Sequence, residues 1–207
     1  KLLAGTALRK NFRELGYEYS DYPPYQVLKS DQLGFDDLRF LSKIESLVDR
    51  LYNSGKFSLS LKYLLSFFAS PFDLYLRLNA SFSGKNLYYN EFSLENLSLF
   101  LLQFLEEINH GEDKEIFISL MAFDYLVSTR TCTLPRTFRD YLSNQPNLST
   151  LLKMEGFVEK YLPDKVSASL NILIKDLFLQ KFPIDIKLYV ESSKIEKRET
   201  ICLFDYS

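Results

Sequence analysis

His110 is the one histidine in this chain, so a Ser/His/Asp relay could use no other residue as its base. It stands at an expected helix end, where an imidazolium meets the negative pole of the helix dipole, and no Cys or Ser with a fitting orienter is recognisable nearby. A structural role is therefore expected for it, and a single histidine excludes a His-based metal site. Cys132 and Cys202 are far apart and form no CxxC pair that would hold zinc or a cluster. Two free thiols are expected. Neighbouring carboxylates, Asp36-Asp37, Glu106-Glu107 and Glu112-Asp113, turn away from each other on a helix and read as caps and solvent-facing groups. The chain has no calcium-loop spacing, Walker loop or GxGxxG. Phe-Asp-Tyr occurs twice, at Phe123-Asp124-Tyr125 and Phe204-Asp205-Tyr206. Aromatic anchors with polar tips, used structurally, are the expected reading of both copies.

The frame around these residues is that of a globular protein. The 207 residues are 46% hydrophobic and 25% charged, with 18 Phe and 14 Tyr, which suits one domain or a compact pair with a real core. A formal net charge of -2 gives no overall pull toward phosphate backbones, so a nucleic-acid partner is not expected. Lys194, Lys197 and Arg198 alternate with Glu196 and Glu199, as in a solvated loop. No apolar run approaches the roughly 20 residues that span a bilayer, and no leader pattern precedes a cleavage site. A cytoplasmic monomer without membrane contact is expected. Starting at Lys1 rather than Met, the chain reads as an excised piece of a longer intracellular protein.

The periodicity predicts a mainly α fold: a multi-helix domain with a short N-terminal strand remnant and a C-terminal β-hairpin. Lys1 to Gly5 reads as the end of a buried strand, followed by a helix capped by Thr6 and ended by Gly16. Residues 17–34 contain Pro23-Pro24-Tyr25, which favours an extended connector. From Asp36, apolar residues through Leu51 recur at helical steps until Asn53-Ser54-Gly55. Leu61, Leu64, Leu65 and Phe68 mark a second helix, and Ser70-Pro71 starts a third. Ser93 is expected to cap a strongly apolar helix ending at His110-Gly111, and another helix is predicted from Glu112 to Ser128 with Ile116, Phe117, Leu120 and Val127 inside. Leu148 to Tyr161 and Val166 to Phe182 complete the helical part. Ile184, Ile186, Leu188 and Val190 then alternate with polar residues as in a half-buried strand, with Thr200 to Asp205 as its partner.

Several of these stretches share an order and spacing with one another that matters jointly. Leu2-Leu3-Ala4-Gly5-Thr6, Pro23-Pro24-Tyr25-Gln26-Val27-Leu28, Tyr52-Asn53-Ser54-Gly55, Tyr63-Leu64-Leu65, Ser70-Pro71-Phe72-Asp73, Phe123-Asp124-Tyr125-Leu126, Leu134-Pro135 and Phe204-Asp205-Tyr206 follow in sequence. Together they resemble the uncharacterised domain that follows the radical SAM core in many bacterial cobalamin-binding radical SAM proteins. The likeness covers essentially the whole chain and is most specific between residues 20 and 75. Ala4 departs from the pattern, which more often has Pro before the glycine.

The resemblance implies a parent enzyme that cleaves S-adenosylmethionine at an iron–sulfur cluster held by a CxxxCxxC motif. Neither cysteine of this chain forms that motif. It therefore implies that cluster, S-adenosylmethionine and cobalamin belong to a barrel and a cobalamin-binding domain upstream in the same polypeptide, with no cofactor in this chain. On that reading residues 1–16 are the remnant of the barrel end, 17–34 the connector, and 35–207 a helical accessory domain with a C-terminal hairpin. The expected role is that of lid, substrate specifier or docking surface, not catalytic by itself. Gly5 and Thr6 would lie at the barrel edge, and Tyr25, Asp124 and Tyr125 would contribute polar contacts. The alternative is a free-standing helical protein-interaction module.

Overall fold

The structure, a computed structural model, describes residues 1–84, 93–109, 113–142 and 145–207. Its described part is mainly helical, with an antiparallel strand pair near each end of the chain. It divides into two units, one of Lys1–Arg50 with Tyr75–Tyr88 and one of Leu51–Leu74 with Tyr89–Ser207. His110, Gly111 and Glu112, named above at helix ends, lie outside the described residues.

In the first unit, Gly5 takes the left-handed conformation at φ +83°, open to glycine because it has no Cβ. The turn that follows is tied by Thr6, whose Oγ1 donates to Leu3 O at 2.8 Å and accepts from Arg9 N–H at 3.3 Å. That cap starts helix α1 (Ala7–Lys10), much shorter than the helix predicted to Gly16, and Leu8 and Leu15 are exposed. Lys1 to Gly5 is not a strand: Leu2 is fully buried, and its N–H donates to Tyr25 O at 2.8 Å. Residues 17–34 fold back on themselves, because strands β1 (Glu18–Tyr19) and β2 (Val27–Lys29) pair antiparallel across a turn in which Tyr25 N–H donates to Tyr22 O at 2.8 Å. Helix α2 (Phe35–Val48) begins where the Asp37 carboxylate accepts Gly34 N–H at 2.9 Å, and it buries Ile44 and Leu47.

A π-helical turn at Asp49–Asn53 follows, and Gly55 at φ +68° closes it as the sequence predicts. In the second unit, helix α3 (Ser58–Leu65) buries Leu61 and Leu64. Ser70 accepts Asp73 N–H at 3.1 Å and donates to its carboxylate at 2.7 Å, setting proline at the first position of helix α4 (Pro71–Gly84), whose residues from Tyr75 on belong to the first unit. Ser93 caps helix α5 (Leu94–Asn109) by accepting Asn96 N–H at 3.1 Å. Its stripe of Leu97, Leu101, Phe104 and Leu105 is buried as predicted. Helix α6 (Lys114–Thr129) packs against both α3 and α5 and is buried almost all round from Ile116 to Ala122.

The C-terminal third departs most from the periodicity. Between 148 and 161 the single predicted helix is two, α8 (Leu148–Leu152) and α9 (Phe157–Tyr161), parted at Gly156 with φ +75°; a short α7 (Arg136–Arg139) precedes them. Helix α10 (Leu170–Asp176) stops six residues before Phe182, and Leu177–Phe182 is instead strand β3. The segment read as a strand by its alternation is helix α11 (Ile186–Ser192), because Asp185 Oδ1 accepts Leu188 N–H at 2.9 Å and caps it. Ile186 and Tyr189, three apart, are its buried residues, whereas Val190 is exposed. Strand β4 (Thr200–Asp205) forms as predicted but pairs antiparallel with β3, Gln180 opposite Cys202. β3 is buried on both faces, so its sequence has no alternation to betray it.

One inward assignment in α6 is also corrected: Val127 is 54% exposed, and its neighbour Leu126 is the buried one. Leu126→Ala is expected to lower stability by about 2–5 kcal/mol. Val127→Ala, on the wet side, is expected to change it by no more than about 0.5 kcal/mol. Urea denaturation of the two variants checks the facing of α6, and equal losses would contradict it.

Candidate functional site

Helix α3 starts without a side chain able to cap it, since Phe57 stands at the N-cap position. Asp124 of α6 supplies what is missing from 65 residues away. Its Oδ1 accepts Leu59 N–H at 3.0 Å, and its Oδ2 accepts Ser60 N–H at 2.9 Å and the Ser60 hydroxyl at 2.7 Å. Two of the unpaired donors at a helix start are thereby satisfied, next to the positive end of its dipole. Asp124 is 5% exposed. Burial pushes its carboxyl up to about 6, against the backbone and hydroxyl donors of Ser60 and Leu59, which hold it down. Tyr189 in turn is pushed up to about 12, by burial first and then by the charge of Asp124.

The two Phe-Asp-Tyr copies meet in space. Phe123 and Phe204 lie 5.5 Å apart between ring centroids, and Phe123 also reaches Phe182 at 6.2 Å. The acidic residues diverge, Asp124 to α3 and Asp205 to an ion pair with Lys165 at 2.5 Å. Tyr125 sits edge-on against Phe138 at 5.9 Å, and the Tyr206 hydroxyl donates to Leu126 O at 3.0 Å. Both copies thus serve as anchors with polar tips.

Of the other residues singled out in the sequence, Tyr25 belongs to the first unit and has φ +54°. The Arg9 guanidinium lies 4.9 Å from its ring and 5.0 Å from that of Tyr19, while Arg9 also donates to Leu2 O at 3.2 Å. Gly5 and Thr6 form the turn and cap described above. Asp124 and Tyr125 are in the second unit. Among the described residues no group of three or more His, Cys, Asp or Glu is placed to hold a metal ion.

A cleft of about 280 Å³ opens beside β3 in the second unit, lined among others by Cys132, Thr133, Arg139, Gln145, Phe178 and Gln180. Phe178 and Gln180 are two apart on the strand and share its face. Gln180 is 2% exposed; its Nε2 donates to Lys181 O at 2.8 Å and Leu142 O at 3.3 Å. At the rim, Gln145 Nε2 donates to Leu179 O at 3.2 Å. Cys132 is exposed with its Sγ 3.8 Å from Lys175 O, and Cys202, free as well, is pushed up to about 11 by burial. Gln180 escapes sequence reading because the run from Val166 to Phe182 looks helical, and with β3 unplaced nothing in the sequence marks Arg139 and Gln145 as its neighbours. The pair Gln180-Lys181 inside the otherwise apolar run Leu177 to Phe182, closed by Pro183, is the signal that could have marked a buried strand with a polar insert.

Fold and cleft define a mainly helical protein whose C-terminal strand pair walls a small polar-and-aromatic cleft. The chain belongs to the family described as "Protein of unknown function (DUF4080)", which matches residues 13–204. No curated protein and no solved structure matches it.

The raised carboxyl of Asp124 has a pH signature. A group whose folded pKa lies above its unfolded one binds protons more tightly when folded, so its stabilisation is full at low pH and is lost as pH rises through about 6. Relative to Asp124→Asn, the wild type is expected to lose about 2 kcal/mol between pH 4 and pH 7, at about 1.36 kcal/mol for each unit between the usual 3.8 and about 6. Urea titrations of both proteins across that range measure the difference. A difference that instead grows with pH would mean that the three donors outweigh burial.

Proposed function

We propose that this chain is the C-terminal accessory domain of a cobalamin-dependent radical SAM enzyme, acting as lid, substrate specifier or docking surface and not catalytic by itself. The reading rests on the order of segments from Leu2-Leu3-Ala4-Gly5-Thr6 to Phe204-Asp205-Tyr206. The observation that carries it further is the surface of the first unit, where Leu3, Leu8, Leu15, Leu33, Phe35 and Leu41 are all exposed. So many large apolar side chains on a small unit suit a surface that another body covers. The upstream barrel and cobalamin-binding domain of the same polypeptide are the proposed cover, and a cytoplasmic monomer the proposed setting. Among the described residues no helix is long and apolar enough to cross a membrane.

In this role the chain would exclude water from a reactive intermediate and position the substrate, while S-adenosylmethionine, the iron–sulfur cluster and cobalamin supply the chemistry from upstream. A free-standing interaction module would use the same apolar surface. The two part on the coding sequence, which either continues upstream into CxxxCxxC or starts near Lys1 with Met.

The test compares the full polypeptide, with cluster and cobalamin reconstituted, with one lacking residues 35–207. Deletion is expected to leave S-adenosylmethionine cleavage in place while product per cofactor cleaved falls at least about tenfold, since productive transfer needs a positioned substrate and a closed site. Wild-type coupling after deletion would refute the accessory role.

A further inference from the structure

Strands β3 and β4 each have an outer edge, and the protein treats the two differently. In an antiparallel pair alternate residues turn their N–H and C=O toward the neighbouring strand and the others turn them away. Tyr206 N–H donates to Asp176 O at 2.8 Å, one step beyond the pair of Leu177 with Asp205. Thr200, Cys202 and Phe204 therefore bond to β3, whereas Ile201, Leu203 and Asp205 direct their N–H and C=O outward. On β3 the outward residues are, by the same count, Leu177, Leu179 and Lys181.

The β3 edge is closed by the protein itself. Leu177 N–H donates to Leu173 O of α10, Leu179 O accepts from Gln145 Nε2 at 3.2 Å, and Lys181 O accepts from Gln180 Nε2 at 2.8 Å. On β4 no hydrogen bond from the described residues reaches the outward groups of Ile201, Leu203 or Asp205. The usual guards of an exposed edge are missing too, since Thr200–Asp205 contains no proline, no lysine and no bulge. Water satisfies these groups one by one, but together they form a template of three donors and three acceptors in a row, repeating about every 6.8 Å. Another extended backbone matches that row, whereas a helix has its own groups paired internally.

The side chains along the edge set the sequence that fits it. Glu199, Ile201, Leu203 and Asp205 are two apart and share one face, on which Glu199 meets Lys181 at 2.7 Å and Asp205 meets Lys165 at 2.5 Å. Each acid uses one oxygen for its lysine, so a second cation can stand alongside. Two acids thus bracket two apolar side chains, of which Ile201 is 52% exposed. We propose that the outer edge of β4 takes up an extended peptide as an antiparallel third strand, with basic, apolar, apolar and basic residues at alternate positions opposite Glu199, Ile201, Leu203 and Asp205. Backbone hydrogen bonds supply the attraction, and the cross-strand pairs fix the register. The inference goes beyond the accessory role and does not depend on it, because it uses the second unit alone.

The probe is the acetylated and amidated peptide Lys-Thr-Val-Thr-Val-Thr-Lys, which reads the same in both directions. In the free chain the amides of Ile201, Leu203 and Asp205 face water and are expected to exchange hydrogen fast, those of Cys202 and Phe204 slowly. Saturating peptide should slow the first three at least about twofold. N-methylation of both valines removes donors that face β4 and should weaken binding at least about tenfold, while N-methylation of the central threonine, which faces away, should leave it unchanged. Ile201→Pro removes one outward donor at an edge position that tolerates proline and should also weaken binding at least about tenfold. Ile201→Lys, a charged guard at an exposed position, replaces it if the proline variant fails to fold. Equal binding of the two N-methylated peptides, or unchanged exchange at Ile201 and Leu203 with peptide, would overturn the assignment. So would protection of those amides without peptide in a sedimenting dimer, which would give the edge to a second copy of the chain.

Discussion

A buried carboxylate with no cation beside it among the described residues organises the second unit. Asp124 stands in an apolar helix, and what makes it tolerable there is the start of α3, whose free N–H groups have no capping side chain of their own. Each partner resolves the other's defect: the helix start lacks an acceptor and the carboxylate lacks solvent. The bond set also fixes position, because three donors at 2.7–3.0 Å admit little sliding of α3 along α6. Tyr63, on α3, then lies within ring contact of Phe117 on α6 and Tyr189 on α11. The aromatic packing beyond the clamp follows from where α3 is held.

Where local rules and burial agree, the fold is legible in the sequence. Ser70-Pro71, Ser93 and Gly55 act as read, and the leucine stripe of α5 is buried as its spacing predicts. Legibility fails where one signal is borrowed by another structure. Ile184 to Val190 alternates like a strand, yet one capping aspartate at 185 makes the next residues a helix. Leu177 to Phe182 has no alternation because both faces of the strand are covered. At the N-terminus, Leu2 is fully buried and its N–H is held by Tyr25 O, a contact across more than twenty residues that no local window contains.

The candidate residues divide along the same line. Asp124 stands out in sequence as a polar residue between aromatics, but its partners are backbone groups of α3, which carry no residue signature. Gln145 and Gln180 are made meaningful only by which carbonyls their nitrogens meet. Such groups become visible when a strand is placed, and the placement of β3 was the feature the periodicity concealed. The aromatic richness of the chain, by contrast, is spent as composition suggests: Phe123, Phe178, Phe182 and Phe204 form one continuous ring cluster.

That cluster covers one face of β3. The other face, through Leu177, joins a separate apolar group of Leu152, Leu162 and Leu173, with Leu203 of β4 packed against it. A strand shared by two cores belongs to both cooperative units, so neither can open while the other keeps the strand in place. The small helices α8, α9 and α10, each too short to persist alone, thus inherit the persistence of α6 through a single peptide segment. Damage anywhere along that segment would be felt in both directions.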